Sequence, residues 1–263
     1  MKKPLPSDTA DRRDSAPSAR MTTGGLARSG QRLVGTSVHV SVAQEIGQRI
    51  VRGDYPPGSI LPNEVQWAEF FNVSRSAVRE AVKMLMAKGL LSSRPKVGSW
   101  VEEKTRWNLL DRDVLSWYAM APDWADFQAT VQEFRYIIEP EAAAFAALRR
   151  NDAQMEEISE ALHDMGNAPT LSERTRADTR FHLAILKAAG NDLLYPLGTL
   201  IESALNSLFV HVTREANSLR HAQDLHATIE EKIRLQQPDE ARAAVRSLLA
   251  NTDLIIGRPS GGK

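Results

Sequence analysis

The stretch Leu61–Val101, LPNEVQWAEFFNVSRSAVREAVKMLMAKGLLSSRPKVGSWV, predicts a helix, a turn, a second helix and a two-stranded wing. Asn63 and Glu64 open the first helix, and Val65, Ala68 and Phe71 have the spacing of one apolar face. Asn72 suits the left-handed conformation that ends a helix, and Val73 crosses the turn. Ser74 is the expected N-cap of the second helix, because its hydroxyl oxygen can accept from a backbone N–H that the helix leaves unpaired. Val78, Val82 and Leu85 recur at i, i+4 and i+7 and are expected inside, leaving Arg75, Ser76, Arg79 and Lys83 on the outer face. Gly89 ends that helix. Leu90–Ser93 reads as the first wing strand, and Arg94-Pro95-Lys96-Val97-Gly98 turns the chain back into Ser99–Val101.

Between Arg75 and Lys96 there are three Arg and three Lys against the single acid Glu80, in a chain whose formal net charge is zero. A basic strip on a neutral protein suits contact with phosphates, since each neutralised phosphate releases a condensed counterion. The alternative is a solvated helix face above a small core. The capped turn, the helix spacing and the basic wing together favour a recognition helix laid in the major groove of double-stranded DNA. Arg75 and Arg79 near its N-terminal end can pair bidentately with guanine O6 and N7, and Lys83 suits phosphate.

The segment resembles the N-terminal winged helix of GntR-type bacterial regulators. Their pattern S-R-x-x-V-R-E-A stands here as Ser74-Arg75-Ser76-Ala77-Val78-Arg79-Glu80-Ala81, with Leu61-Pro62-x-Glu64 before it and Lys88-Gly89-Leu90 after it. The resemblance implies that Arg75 and Arg79 read base edges, that Ser76 meets phosphate, and that a wing tip around Lys96 and Gly98 enters the minor groove. Members often carry an Arg in the first of the two helices where this chain has Val65, so one base or phosphate contact is missing.

Working outward, 263 residues suggest one large or two ordinary domains. Hydrophobic residues make up 42%, enough for real cores, and no run approaches the roughly 20 apolar residues of a membrane span. The first thirty residues lack an apolar signal region, and there is no cysteine for disulfides or thiolate metal sites, so a cytoplasmic protein is expected. Residues 1–36 read as a disordered basic tail and 258–263 as a second disordered tail. A winged-helix domain is expected over 37–104, its first helix running from Ser41 to Arg52 with Ser41 and Gln44 at capping-box spacing. Val42, Ile46 and Ile50 supply that helix's buried face.

Residues 105–122 are too rich in large apolar groups (Trp107, Leu109, Leu110, Val114, Leu115, Trp117, Tyr118) for a flexible linker. They read as a packed connector with a short helix starting near Asp113. From 123 to 257 the pattern is helical almost throughout. The expected helices are Asp123–Arg150, with a break or kink at Pro140, then Asp152–Met165, Leu171–Ala189, Leu193–Glu215, Leu219–Gln236 and Pro238–Ile256. The expected architecture is therefore an N-terminal winged helix-turn-helix, α with a small β wing, followed by an all-α bundle that could hold a ligand between its helices.

Two constellations in the bundle carry chemistry. Asp178 and His182 are four apart on one helix face, and His226 lies mid-way along a later helix. Such a set can hold a divalent metal with positions left open, although an Asp-His pair at this spacing is usually a surface hydrogen bond. Arg135 lies on an otherwise apolar helix face, so its guanidinium needs an anionic partner. That partner is either Glu139 or Glu133 within the chain, or an effector carboxylate held bidentately. Arg214 is a second candidate for the effector.

The bundle resembles the FCD effector domain of the FadR-like branch of the family. The matching residues are Glu133-x-Arg135-x-x-x-Glu139-Pro140-x-Ala142-Ala143, Asp178-x-x-x-His182, Ala189-Gly190-Asn191 and His226. The resemblance implies a metal of the Zn, Ni or Mn class on Asp178, His182 and His226, but the position of a fourth ligand histidine is occupied by Leu248. The run Trp107-Asn108-Leu109-Leu110-Asp111-x-Asp113-Val114-Leu115-x-Trp117 is similar to that of galactonate-responsive members, which implies an aldonate or related hydroxy acid as effector. The expectation is a homodimeric, non-membrane transcriptional regulator, a repressor released from operator DNA by a small carboxylate. The alternatives are a metal-independent regulator answering another acidic metabolite, and a metal enzyme built on the Asp-His-His set.

Overall fold

The computed structural model describes residues 37–118, 121–211 and 216–255. The two expected tails and Arg214 lie outside the described residues. Helix α1 spans Val38–Val51, α2 Glu64–Phe71 and α3 Arg75–Ala87, and strands β1 Leu91–Arg94 and β2 Gly98–Val101 form the wing. The strands pair antiparallel, Leu91 opposite Val101 and Arg94 opposite Gly98.

Local chemistry accounts for these boundaries. Asn63 caps α2 by accepting from Val65 N and Gln66 N, and Gln66 reciprocates to the Asn63 N–H. Asn72 is left-handed at φ 53°, and Ser74 accepts from Ala77 N to start α3. Gly89, at φ 75°, is sterically required: a Cβ there would sit 2.1 Å from the Arg106 carbonyl oxygen.

Three expectations in this region are corrected. Helix α1 starts after Ser37, so Ser41 lies inside it and caps nothing. The inward face of α2 is Trp67, Ala68 and Phe71, while Val65 is 37% exposed. Trp67 stacks on Phe71 at 5.2 Å and meets Tyr55 and Phe70 edge-on, and its large indole outweighs a valine in choosing the buried side. In α3 the deepest side chains are Val78, Ala81 and Leu85, with Val82 only half-buried.

The connector is built into the winged-helix core. Its helix α4, Arg112–Tyr118, places Val114, Trp117 and Tyr118 in one apolar cluster with Ile46, Ile50, Val78 and Leu85. Gly47 of α1 lies so close to Trp117 that any Cβ would clash with the indole at 2.3 Å. Lys88, at the end of α3, bonds Asp111 and Asp113, each at 2.8 Å. Across the other side, Arg112 meets Glu202 at 3.0 Å.

The bundle comprises α5 Trp124–Arg149, α6 Asp152–Asn167, α7 Leu171–Ala188, α8 Gly198–His211, α9 Ala216–Arg234 and α10 Pro238–Ile255. Helix α5 runs through Pro140 without the expected break. Its buried Ala142, Ala143, Ala146 and Ala147 have little side chain, which lets neighbouring helices approach closely. The helix expected from Leu193 starts later, because Pro196 sits in a 3-10 turn, Tyr195–Leu197, that precedes α8. Among the described residues no helix is long and apolar enough to cross a membrane.

Candidate DNA-reading face and metal centre

Arg75, Ser76, Arg79 and Lys83 lie exposed along α3, and Lys96 and Gly98 lie exposed at the wing turn. The backbone is left-handed at Lys96 (φ 67°) and Gly98 (φ 99°), which folds the tip tightly. Ser76 Oγ lies 2.9 Å from the capping Ser74 Oγ. Lys83 pairs with Glu80 at 2.9 Å on the same helix. Arg79 is not a free side chain. Glu64 of α2 accepts from its Nε at 3.0 Å and from one terminal nitrogen at 2.7 Å. Glu64 was visible in the sequence as a helix opener and as part of the Leu61-Pro62-x-Glu64 pattern; the fifteen-residue separation from Arg79 hid its second part. Arg94, a further basic residue of the wing, lies over the Trp100 ring at 5.5 Å.

In the bundle, α7 and α9 bring Asp178, His182 and His226 together, with one donor atom of each within 4.8 Å of the others. Asp178 Oδ1 lies 3.3 Å from His182 Nε2 and 3.1 Å from His226 Nε2. Both histidines are buried at 4% exposure, whereas the Asp178 side chain keeps 25%. Phe181 packs edge-on to both rings and fixes their planes.

The far nitrogen of each ring is also engaged. His182 Nδ1 faces Glu139 Oε2 at 2.8 Å, and His226 Nδ1 faces the Ala222 carbonyl at 2.6 Å. Glu139 in turn holds Arg135, which is 1% exposed and donates from Nη1 to Gln132 Oε1 at 3.4 Å. The buried guanidinium therefore has its anionic partner inside the protein, the first of the two options open in the sequence. Arg135, expected as a clamp for an effector carboxylate, is thus paired with Glu139 in this structure. Glu139, noticed in the sequence as that partner and as part of the FCD pattern, also orients His182.

Charge follows from this packing. Burial alone would raise the Glu139 carboxyl, but Arg135 and His182 outweigh it and hold it down to about 2. Burial opposes charge on His182 too, yet Glu139 and Asp178 together push it up to about 9. Burial works against the Asp178 carboxylate, and His226 and His182 overcome it, leaving it well below the usual range. Without a cation the raised His182 keeps a proton on Nε2 toward Asp178; with one proton on each Nδ1 only, the two Nε2 atoms and the Asp178 carboxylate would make a two-imidazole, one-carboxylate donor set with its outer partners in place. The residues present fit a divalent cation. Leu248 is buried in the apolar core, so that position offers no fourth donor.

Two family models match the chain: bacterial regulatory proteins of the gntR family over residues 39–101, and the FCD domain over 130–251. The uncharacterised HTH-type transcriptional regulator YieP of Escherichia coli (strain K12) is 32% identical over 218 residues, 81% of this chain and 92% of that protein. The chain belongs to the GntR family of regulators. The galactonate operon transcriptional repressor of the same strain is 33% identical over 210 residues, 79% of this chain and 91% of that protein. Among solved structures, Lar of Listeria monocytogenes superposes with a TM-score of 0.60 at 19% identity, covering 84% of this chain and 96% of that one, a likeness of fold. As a GntR-family protein with an FCD domain, this chain is a DNA-binding transcriptional regulator and not an enzyme.

Proposed function

We propose that this GntR-family regulator is a homodimeric repressor of sugar-acid catabolism, released from its operator when an aldonate or related hydroxy acid binds the bundle. The observation that carries the reading is the Asp178-His182-His226 set, both histidines buried, with Glu139 and the Ala222 carbonyl behind it. Likeness to the galactonate operon repressor supports the effector class.

On the DNA side, Arg75 and Arg79 read base edges in the major groove, Ser76 and Lys83 meet phosphates, and Lys96 and Gly98 carry the wing into the minor groove. Two copies present two such helices to a near-palindromic site.

On the effector side, Asp178, His182 and His226 hold a divalent cation of the Zn, Ni or Mn class. Such an ion supplies a positive centre for a carboxylate and its neighbouring hydroxyl oxygen. Arg135 balances Glu139, Glu139 keeps the His182 Nδ1 proton, and Ala222 does the same for His226, so both Nε2 atoms stay available. Derepression requires the acid to bind the non-operator form of the dimer more tightly than the operator form.

A second reading has a specific observation in its favour. The same four side chains also close into a polar network without a cation, His182 bridging Glu139 and Asp178 and His226 meeting Asp178, and His182 is pushed toward its charged form. A regulator of that kind answers an acidic effector with no metal.

The test is a thermal-shift panel of aldonic, aldaric and simple hydroxy acids, with metal analysis of the purified protein. A folded-state ligand at a hundredfold excess over its dissociation constant adds about 2.7 kcal/mol. One acid raising the midpoint, with a metal co-purifying and the shift lost on chelation, supports the proposal. A shift indifferent to chelator with no metal present selects the second reading, and no shift with any acid rejects the sugar-acid effector.

A further inference from the structure

We propose that Glu64 is a positioning residue for base reading, holding the Arg79 guanidinium by one edge so that its other edge faces guanine. The inference rests on the assignment of Arg79 to base contact made above.

A guanidinium has five N–H donors, one on Nε and two on each terminal nitrogen. Glu64 binds Nε at 3.0 and 3.2 Å and Nη2 at 2.7 Å, which occupies the side of the fork. Nη1 has no hydrogen-bond partner among the described residues, so the end of the fork stays open. That end presents one N–H from each terminal nitrogen, the pair that matches guanine O6 and N7.

Glu64 is itself well placed to act as a support. It is the first residue of α2, fixed by the reciprocal Asn63–Gln66 cap immediately before it. Its carboxyl is held below its ordinary range, first by the hydrogen bond from Arg79 and further by the charges of Arg79, Arg75 and Lys83.

An acid on this face works against attraction to phosphate, so affinity alone does not account for it. Nor does stability, because the pair is exposed, at 37% for Glu64 and 59% for Arg79, and exposed ion pairs contribute little. Restricting a long, flexible arginine before it enters the groove lowers the ordering cost of the contact. Lys83 and Glu80 make a superficially similar pair, but an ammonium is a point charge with no edge to aim.

The test uses the full-length chain and a duplex selected by the wild-type protein from a randomised library. Binding is then measured for that duplex, for its single substitutions at each guanine, and for an unrelated duplex of equal length. Arg79→Ala is expected to abolish discrimination at one guanine per half-site. Glu64→Gln is expected to reduce discrimination at that same guanine by about tenfold, within the range of one bidentate base contact. Binding of the unrelated duplex should hold or tighten, with a salt slope steeper by up to about one. In the Arg79→Ala background, Glu64→Gln should change discrimination no further.

Undiminished guanine discrimination in Glu64→Gln overturns the inference while leaving Arg79 as a reader. So does equal weakening for every duplex together with a lower melting temperature, which marks a merely structural tie. If Arg79→Ala binds every duplex as the wild type does, or the wild type enriches no sequence, the base-reading assignment itself fails and the inference falls with it.

Discussion

Among the described residues Arg135 and Glu139 form the most deeply buried charge pair of the bundle, and removing one partner is more costly than their attraction suggests. Arg135→Ala leaves the Glu139 carboxylate in an apolar interior with only His182 to oppose it. A loss of about 3–5 kcal/mol is expected, read by urea denaturation, whereas an effect below about 1 kcal/mol would show that the pair is not buried in solution. His226→Ala removes one of the three donors without touching Arg135 or Glu139. Metal analysis of that variant should show at least a large fall in bound cation, and chelator should no longer lower its melting temperature. Retention of the wild-type metal content would remove the Asp-His-His assignment. Part of this site was legible in the sequence, because Asp178 and His182 share a helix and their spacing predicts a common face. Glu139 was not, since it lies 43 positions before His182, and only the packing of α5 against α7 brings the two within hydrogen-bond range.

The winged helix shows how far local chemistry reaches at the level of elements. Each boundary from Asn63 to Gly89 depends on one residue's capping or backbone preference, so it could be read without any partner segment. Asn63→Ala removes both halves of the α2 cap. It should cost about 1 kcal/mol in equilibrium unfolding, and no loss at all would mean that the cap is replaced by water. Gly89→Ala should do more damage. It forces a left-handed alanine, at about 1–2 kcal/mol, and drives its Cβ into the Arg106 carbonyl. Wild-type stability in that variant would contradict the close approach of α3 to the connector. What pattern reading missed here was a matter of size and distance. Spacing placed Val65 on the inner face, but the Trp67 indole fills the space between α2 and Tyr55, and periodicity carries no information about volume.

For the whole molecule, the connector packs into the winged-helix core and also reaches the bundle through Arg112 and Glu202. Trp117 shares a cluster with α1 and α3 and abuts Gly47, while the bundle has a separate core around Phe181, Ile229 and Leu249. Trp117→Ala should therefore cost about 3–5 kcal/mol in the DNA-binding part. Hydrogen exchange should show faster amides in α1, α3 and α4 with protection in α5 and α10 retained. Equal loss of protection in both parts would mean that they unfold as one unit.

Amino-acid order alone was enough for the architecture, a capped helix-turn-helix with a basic wing followed by an all-α bundle. Those features depend on backbone preferences, caps and apolar periods that act within a few residues. The contacts of the functional side chains across separate helices came only from the folded chain. Glu64 on Arg79, Glu139 on His182, and His226 against Asp178 depend on how helices pack side by side, whereas Glu139 on Arg135 is a one-turn pair on α5 that spacing alone could suggest. A buried or base-reading charge takes its role from its neighbours in space, and in this chain most of those neighbours are distant in sequence.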